Sequence, residues 1–424
     1  MNHQDQQPDK GILQEFAELS LPQDYGQQNH VSQDYDQQGY GASWLEISKK
    51  ALLHNIVQYK EVVGFDKQFA VVVKSNAYGH GILEVATVCQ QSSLVDWLCV
   101  ASLSEALLLR HHGITKPILV LSYCDASLEE IILHDIAVVV YDELFLDELQ
   151  HIAQRLRKIV NIHIKVDTGL SRLGLTPEQV LAMLQRYKQA PYVCIQGIFT
   201  HFAESEKVGL SQAGLSRPGN NFTDDQVSRF TNLLEQITSL KIDIPYRHFS
   251  CTAAVTMVED RCYNFARMGL GIYGLWPSEE TKQVTHMRYP QFNIQPVMTW
   301  KTRIIQVKTV PVGSSIGYGR TFITKRETRL ALLPVGYWEG YDRKLSNTAQ
   351  VIIHGKVAPV LGRVSMNITT VDITDISDVA VGHEVILLGA ESVVSANTLA
   401  KTIGTINWEV VTRINPSVPR IMVD

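Results

Sequence analysis

The feature that most restricts the fold of this chain is a regular alternation, over residues 44–275, of short apolar runs with longer amphipathic segments. The apolar runs have the length and β-branched content of strands buried on both faces, and the segments between them have helical periodicity. This alternation predicts a parallel sheet, and eight strands within about 250 residues are enough to close a (β/α)8 TIM barrel. The eight predicted strands cover residues 69–73, 97–101, 117–121, 137–141, 160–166, 194–199, 246–249 and 268–273.

The pattern changes near residue 280, after which short β-rich runs alternate with glycine-containing turns. We therefore predict an α/β chain in three parts: a disordered tail rich in Gln and Asp over residues 1–42, the barrel over residues 43–280, and a C-terminal all-β domain over residues 281–424. Residues 276–290 are predicted to link the two folded domains, and residues 395–403 are predicted to form a helix.

Composition excludes several classes of partner. The chain has 38 Lys and Arg against 43 Asp and Glu and no dense basic run, so neither nucleic acid nor a membrane surface is expected as a partner. Its apolar runs are far shorter than the roughly 20 residues that span a bilayer. The six cysteines lack metal-ligand spacing, and the N-terminal segment lacks the apolar centre of a secretory signal. We therefore expect a cytoplasmic protein with no metal.

Lys74 is the clearest candidate for a chemical role. It lies where a predicted strand runs into a glycine-rich turn, in the segment FAVVVKSNAYGHG at residues 69–81. The carboxyl ends of barrel strands are where such folds place their active sites. Burial there lowers the pKa of an ammonium group and yields a free amine that can react with a carbonyl cofactor. The alternative is a solvated lysine that merely ends a strand.

Other polar clusters follow other predicted strands. The segment KVDTGLSRLG at residues 165–174 carries Arg172, whose fork of donors suits a phenolate, a carboxylate or a phosphate unless it only closes a turn. His201, between aromatic residues, has either a packing or a catalytic role. Residues 248–254 offer hydroxyl and backbone N–H groups for a phosphate, or else an ordinary helix cap. Arg267 starts an apolar run and needs an acceptor.

Glycines surround the remaining candidate residues. Residues 269–274 fit G-x-G-x-x-G, but no helix is predicted after them and no acidic residue lies about 20 residues on, so a nicotinamide-dependent dehydrogenase is a disfavoured alternative. Tyr318 lies between two glycines, where its hydroxyl can transfer a proton if neighbours lower its pKa. The glycine-bounded clusters at residues 336–343 and 362–367 are either functional loops or structural turns.

Taken in order, these segments resemble alanine racemases. The resemblance covers about residues 44–424 and rests on Lys74 together with residues 76–81, 165–174, 200–202, 264–269, 317–319, 336–337 and 362–366. It implies a barrel followed by a β domain, pyridoxal 5'-phosphate bound as an imine, a small amino-acid substrate, and a head-to-tail homodimer with active sites at the subunit interface. The implied reaction interconverts L- and D-alanine and supplies D-alanine for peptidoglycan.

The resemblance also implies roles for individual residues. Lys74 would be the imine lysine and the base for one face of the substrate, and Tyr318 of the other subunit would be the base for the opposite face. His201 would stack beside the cofactor ring and link Tyr318 to Arg267, which would face the pyridine nitrogen. Arg172 would contact the cofactor phenolate and the substrate.

Further roles follow from the same resemblance. Lys165 would be carbamylated and would orient Arg172. The phosphate would be held by Tyr78, Thr252, Gly269, Leu270 and, where the family usually has a tyrosine, Trp408. Tyr337 would narrow the substrate entrance, and the backbone N–H of Met366 would meet the substrate carboxylate.

The chain departs from the family pattern at three places. Trp408 replaces a tyrosine, Asn367 replaces an aspartate, and Cys251 with Thr252 replaces an Asn-Ser pair. These departures leave Lys74 and Tyr318 intact, so they affect the choice of substrate more than the type of reaction. The alternatives are a racemase of serine or another small amino acid, a decarboxylase on the same two-domain plan, and a non-catalytic protein that stores pyridoxal phosphate.

Overall fold

The computed structural model describes residues 41–206, 222–249, 251–257 and 263–424. The predicted disordered tail, residues 1–42, lies outside the described residues except for its last two. Residues 42–424 form one compact unit.

The strands of the described residues are β1 (Ser43–Ser48), β2 (Gln68–Val72), β3 (Trp97–Ser102), β4 (Ile118–Tyr123), β5 (Ala137–Val140), β6 (Val160–Lys165), β7 (Val193–Phe199), β8 (Tyr246–His248), β9 (Phe265–Met268), β10 (Met298–Arg303), β11 (Gln306–Val310), β12 (Ser315–Ile316), β13 (Phe322–Ile323), β14 (Thr328–Leu333), β15 (Gln350–Ile353), β16 (Lys356–Pro359), β17 (Thr369–Asp372), β18 (Glu384–Leu388) and β19 (Arg420–Val423).

The helices of the same residues are α1 (Lys49–Val63), the single turn α2 (Lys74–Tyr78), α3 (Ile82–Gln91), α4 (Leu103–His111), α5 (Leu128–Leu133), α6 (Glu143–Leu156), α7 (Pro177–Tyr187), α8 (Phe222–Ser239), α9 (Thr252–Met257), α10 (Glu279–Arg288), α11 (Ala396–Ile403) and α12 (Asn407–Thr412). Short 3₁₀ turns form at Leu270–Tyr273, Tyr318–Arg320, Arg343–Leu345 and Ser392–Val394.

The predicted barrel is confirmed. Eight parallel strands lie in the order β8-β7-β6-β5-β4-β3-β2-β9, so the sheet curls until its first and last strands are neighbours. Asn264 nearly closes the gap between them: its backbone N–H donates to the Arg247 carbonyl at 3.1 Å, and its side-chain oxygen accepts from the Arg247 N–H at 2.9 Å. All four residues of β5 are buried, as expected for a strand covered by helices outside and side chains inside.

The eighth barrel strand differs from its prediction. It was placed at residues 268–273, but β9 ends at Met268 and Leu270–Tyr273 forms a 3₁₀ turn. Glycines in this segment allow close approaches: a Cβ at Gly271 would lie 2.1 Å from the Tyr59 hydroxyl. The apolar character of the segment therefore reflects burial of a turn, and the G-x-G-x-x-G match opens no nucleotide-binding helix.

The second domain is built on a separate sheet, as predicted, but β1 is part of it. Its six strands lie in the order β16-β15-β18-β10-β1-β19, with a three-stranded sheet β11-β14-β17 and the hairpin β12-β13 beside it. β1 runs antiparallel to β10 and parallel to β19. Because Trp44, Leu45 and Ile47 are buried in this sheet, the strand at Ser43–Ser48 does not belong to the barrel range of residues 43–280 predicted from the sequence.

A helix lies within the predicted linker, and the second domain contains more helix than was predicted. Residues 276–290 contain helix α10, which begins where the Ser278 hydroxyl accepts from the Thr281 N–H at 3.0 Å. The predicted helix at residues 395–403 is present as α11, and α12 follows it without having been predicted.

The predictions about membrane-spanning helices and cysteines can be compared with the described residues. Within them, none of the helices has the length and apolar character needed to cross a bilayer. Cys89 and Cys99 are buried, as expected, but Cys194 is exposed, and the five described cysteines form no disulfide with one another.

Candidate active site

A cavity of about 900 Å³ opens at the carboxyl ends of the barrel strands. Helix α12 of the second domain contributes to its wall. The cavity brings together residues that are far apart in the sequence but were predicted as one site. Ten of them line it: Lys74, Tyr78, Lys165, Arg172, His201, Thr252, Arg267, Gly269, Leu270 and Trp408.

Lys74 stands at the start of a left-handed turn. Ser75, Asn76, Ala77 and Tyr78 all have φ between 52° and 55°, a region that costs L-residues roughly 1–2 kcal/mol each. The backbone nevertheless forms helical hydrogen bonds, including one from the Ala77 N–H to the Val73 carbonyl at 2.9 Å. Such strain persists only where surrounding contacts impose it, and it is concentrated at functional sites.

Two side chains impose this turn. His80 is buried and places Nδ1 3.1 Å from the Ala77 carbonyl and 3.0 Å from the Tyr78 carbonyl, so Nδ1 carries the proton and donates to them. The Asn76 side-chain oxygen accepts from the Ile82 N–H at 2.9 Å, which fixes the start of α3. Asn76 and His80 therefore stabilise the turn that carries Lys74, a role that the sequence did not reveal.

The turn packs closely on the second domain at Gly79. This residue has φ 82°, and a Cβ on it would lie 2.2 Å from the Val411 carbonyl oxygen of α12. Only glycine permits this approach. The contact places α12, and with it Trp408, against the turn that carries Lys74.

Charged side chains of both signs line the cavity. The cations are Lys74, Lys165, Arg172 and Arg267, and the carboxylates are Glu204, Glu206 and Glu280. The pKa of Lys74 is lowered by burial and then by Arg172, and burial followed by Arg172 lowers the pKa of Lys165 to about 8. A nearby carboxylate, Glu105, already accepts backbone N–H groups of Ser75 at 2.6 Å and Ala101 at 2.8 Å. With four cations against three carboxylates, the cavity has room for an anionic ligand, and the Lys74 amine loses its proton more readily than an exposed lysine does.

Arg267 is held by contacts with its neighbours. Its guanidinium donates to His248 Nδ1 at 2.7 Å and to the Thr200 carbonyl at 3.1 Å, and it lies 4.8 Å from the centre of the Phe199 ring. Within the described residues it makes no hydrogen bond to the His201 side chain, and the link from Tyr318 through His201 to Arg267 stays a prediction. Burial and the charge of Arg267 lower the pKa of His201 to about 3, so this imidazole is neutral.

Two residues of the site were missed by sequence reasoning. His248 ends β8 much as His201 follows β7, so the same signal could have found it. Gln226, fully buried on α8, accepts from the Ala203 N–H at 2.9 Å and donates to the His201 carbonyl at 3.2 Å and to the Thr168 hydroxyl at 3.1 Å. It fixes the loop that carries His201, but a glutamine in an amphipathic helix gives no signal of this.

The far end of the cavity supplies donors for an anion. The Thr252 hydroxyl accepts from the Gly269 N–H at 3.2 Å and from the Gly271 N–H at 3.4 Å. A Cβ at Gly269 would lie 2.7 Å from the Tyr78 hydroxyl, so this glycine keeps room beside that group. Hydroxyl groups and glycine backbone at one place form a cradle of the size and polarity that a phosphate needs.

Three predicted residues lie outside this cavity. Tyr318, Tyr337 and Met366 are exposed on the second domain, with 73%, 43% and 54% of their surface accessible. With Trp338 they form a surface that we call the Tyr318 face. The Trp338 N–H donates to the Met366 carbonyl at 2.9 Å.

Asn367 has a defined role beside the Tyr318 face. Its side chain donates to Glu339 at 2.7 Å, and the other oxygen of that carboxylate accepts from the Gly336 N–H at 2.8 Å. An aspartate at position 367 would repel Glu339, so the amide suits this loop.

The barrel and this site define the general class of the protein. A half-buried lysine with a lowered pKa stands at a barrel mouth among three other cationic side chains, and hydroxyl groups face it across the cavity. This is the arrangement of an enzyme whose chemistry centres on a lysine amine and an anionic ligand.

Comparisons with known proteins identify the family. Family models described as alanine racemase N-terminal domain and C-terminal domain match residues 47–277 and 297–422. The alanine racemase of Methanococcus maripaludis is 37% identical over 382 residues, which cover 89% of this chain and 98% of that protein. The alanine racemase of Halothermothrix orenii is 36% identical over 381 residues, covering 89% and 96%.

Solved structures agree with the sequence comparisons. The alanine racemase of a D-cycloserine-producing Streptomyces lavendulae superposes with a TM-score of 0.81 at 30% identity, covering 90% of this chain and 97% of that one. The Bacillus anthracis enzyme with bound L-Ala-P gives 0.78 at 30% identity, covering 90% and 95%. This chain belongs to the alanine racemase family, which confirms the predicted resemblance, and it is an enzyme.

Proposed function

We propose that this protein interconverts L- and D-alanine with pyridoxal 5'-phosphate, in the cytoplasm, and supplies D-alanine for peptidoglycan. The observation that carries the proposal is Lys74, an amine of lowered pKa in a cavity lined by three further cations. Burial and Arg172 lower the pKa of this amine, so it is unprotonated more often than an exposed lysine, and an unprotonated amine can bind a carbonyl cofactor or accept a proton from a substrate.

The cavity fits the proposed cofactor at both of its ends. Tyr78, Thr252 and the backbone of Gly269 and Leu270 would hold the phosphate, while Trp408 would close the pocket beside them. Lys74 would hold the other end covalently. The phosphate and the phenolate would pair with some of the cations of the cavity.

Bound pyridoxal 5'-phosphate supplies an electron sink that lets the α-proton of an amino acid leave. The Lys74 amine would remove or return that proton on one face of the α-carbon. The hydroxyl of Tyr318 from a second subunit would do so on the opposite face. Inverting a stereocentre requires proton transfer on both faces, so neither group alone is sufficient.

Two arginines would set the electrostatics of the site. Arg267 would face the pyridine nitrogen, and because a guanidinium hardly gives up a proton, it would leave that nitrogen unprotonated and restrain side reactions such as transamination. Arg172 would contact the phenolate and the substrate. Lys165, with a pKa of about 8, is neutral often enough near physiological pH to react with CO₂, and its carbamate would orient Arg172.

The proposed dimer explains why part of the site lies on the surface. Tyr318 is exposed and does not line the cavity of its own chain, and in the proposed dimer it would enter the barrel mouth of the second copy. Tyr337 would then narrow the entrance and the Met366 N–H would meet the substrate carboxylate. A head-to-tail dimer presents two such composite sites.

The side chain of the substrate depends on the pocket wall. Trp408 adds bulk where related enzymes usually have a tyrosine, which favours a small side chain such as that of alanine. Comparing kcat/KM for alanine and serine tests this choice. Equal or higher values for serine would make serine the preferred substrate.

The central experiment combines turnover with chemical trapping. Purified protein loaded with pyridoxal 5'-phosphate should convert L-alanine into the racemate, and borohydride reduction followed by peptide mass spectrometry should place the cofactor on Lys74. Lys74→Ala should lose both signals, while the exposed control Lys308→Ala should keep them.

Each alternative function predicts a different result of that experiment. Release of CO₂ without racemisation would indicate a decarboxylase. A trapped adduct without turnover of any amino acid would indicate a storage protein. Nicotinamide binding with no adduct at Lys74 would indicate a dehydrogenase.

A further inference from the structure

Three buried side chains lead from the cavity into the centre of the barrel. Arg267 borders the cavity, and its Nη1 lies 2.7 Å from His248 Nδ1. The other ring nitrogen of His248, Nε2, lies 2.9 Å from His163 Nδ1. Arg267 is 4% exposed, and both histidines are fully buried. Neither histidine was singled out by the sequence, and the proposed reaction assigns no role to His163.

The direction of these hydrogen bonds follows from the chemistry of arginine. A guanidinium only donates, so His248 Nδ1 must be an unprotonated acceptor. Burial, and then the charge of Arg267, lower the pKa of both imidazoles, that of His163 to about 3, so both rings are neutral. The single proton of His248 therefore lies on Nε2 and is donated to His163 Nδ1. The proton of His163 must then lie on its own Nε2.

The barrel is shaped to admit the His163 ring. A Cβ at Gly197 on the neighbouring strand β7 would lie 2.2 Å from His163 Nδ1, so the ring occupies the space that a side chain there would fill. Around it, Trp97 and Phe265 present their rings at centroid distances of 5.7 and 6.0 Å. An apolar side chain would suit this aromatic layer better than an imidazole does.

One ring nitrogen of His163 is in an unfavourable environment. Among the described residues its Nε2 has no hydrogen-bond partner, although it is buried. A buried donor without an acceptor is destabilising, so the contribution of this histidine must come from its other nitrogen. That nitrogen is the acceptor of the His248 proton.

We propose that His163 is a positioning residue for Arg267, which it serves by holding the His248 ring in the orientation that presents Nδ1 to the guanidinium. If Nδ1 of His163 is removed, the His248 Nε2–H is left buried without a partner. The ring then gains by turning until Nε2–H meets another acceptor, and the turn takes Nδ1 away from Arg267. The expected effect of His163 on catalysis rests on the proposed function. The hydrogen bonds among Arg267, His248 and His163 are independent of it.

The test uses two variants of nearly equal shape. Asparagine at position 163 can place Oδ1 where His163 Nδ1 lies, while leucine offers the same branching without an acceptor. In cofactor-free protein with ¹⁵N-labelled histidine, NMR should show His248 protonated at Nε2 and unprotonated at Nδ1 in the wild type and in His163→Asn. In His163→Leu the His248 ring should turn and lose the hydrogen bond from Arg267, which a shift of its Nδ1 resonance reports.

Activity provides the second readout. In loaded enzyme we expect kcat of His163→Leu to be at least about tenfold lower than that of His163→Asn, with similar KM values, because an unpaired buried group disturbs Arg267. A His248 Nδ1 resonance at the wild-type position in His163→Leu, or equal kcat in the two variants, would show that His163 only packs, and would overturn the proposal. The NMR measurement does not need racemase activity. The proposed role of His163 can therefore be rejected without rejecting the proposed function, and the reverse.

A second variant covers the case in which His163→Leu does not fold. Gly197→Ala places a methyl group where the His163 ring lies and forces the ring away without removing it. The same shift of the His248 Nδ1 resonance is expected there. An unchanged Nδ1 resonance in Gly197→Ala, with the His163 ring displaced in its own NMR spectrum, would contradict the proposal.

Discussion

Lys74 and Lys165 show how two identical side chains acquire different properties within one cavity. Burial is the main cause of the lowered pKa for both, and Arg172 adds to it in each case. Glu105 partly offsets the effect at Lys74, and Asp167 does so at Lys165, but only Lys74 begins a strained turn. Under the proposed function, this difference in position would give one lysine to the cofactor and leave the other available for modification.

The exposed Tyr318 provides a prediction about proton transfer. Tyr318→Phe removes one hydroxyl without disturbing the cavity, since the side chain does not line it. Cofactor absorbance should be unchanged, and racemisation should fall by about 100-fold or more in at least one direction, because general acid–base groups contribute about that much. Initial rates from L- and D-alanine measure this. Full activity in both directions would remove Tyr318 from the mechanism.

The pKa of Lys165 predicts how stability depends on pH. The folded-state pKa is about 8, against an ordinary value of 10.5, so between these values the unfolded chain binds a proton that the folded protein has released. Stability should therefore rise with pH across this window and should not depend on this group below it. Chemical unfolding of cofactor-free protein in CO₂-free buffer should show the rise relative to Lys165→Met. A constant difference from pH 7.5 to 10.5 would contradict it.

The sequence was informative for residues that end strands and for little else. Lys74, Arg172 and His201 each follow an apolar run into a polar turn, and the structure brings all three to one cavity. Gln226 could not be found, because its role depends on which loop its helix covers. The hydrogen bond from Arg267 to His248 could not be predicted, since two histidines lie at the ends of neighbouring strands and only geometry shows which one meets the guanidinium.

At the scale of elements, the left-handed turn α2 gives a testable case of imposed strain. His80→Leu removes the donor to the Ala77 and Tyr78 carbonyls, whereas His80→Asn can keep a donor near the Nδ1 position. We expect His80→Leu to weaken cofactor binding by about tenfold, because a lost buried hydrogen bond costs about 1 kcal/mol or more. Equilibrium titration with the cofactor measures this. Equal affinities in both variants would assign the turn to other contacts.

The same scale shows where element prediction fails. Most barrel strands were placed to within a residue or two, because a buried parallel strand is a continuous apolar run. Residues 268–273 are equally apolar but form a turn, since their burial comes from packing on α1 and not from strand pairing. Apolar character indicates burial, and it does not by itself distinguish the element that is buried.

For the whole molecule, the central question is whether two chains share each active site. If Tyr318 acts on a second subunit, a dimer of one Lys74→Ala chain and one Tyr318→Phe chain contains one intact site and one doubly altered site. Mixing the two inactive variants under conditions that exchange subunits should restore about a quarter of wild-type activity, since about half of the dimers are mixed. No recovery, with exchange shown by native mass spectrometry, would place both groups in the same chain.

The pairing of β1 with β10 and β19 has a consequence for biosynthesis. β1 leaves the ribosome before any barrel strand, yet its neighbour at Arg420 is made only when nearly the whole chain has been translated. Throughout that time its unpaired edge and its apolar Trp44, Leu45 and Ile47 are available to other nascent chains. Cells that make this protein rapidly therefore need to shelter that strand, and a chain truncated near residue 280 is expected to aggregate rather than to yield a free barrel.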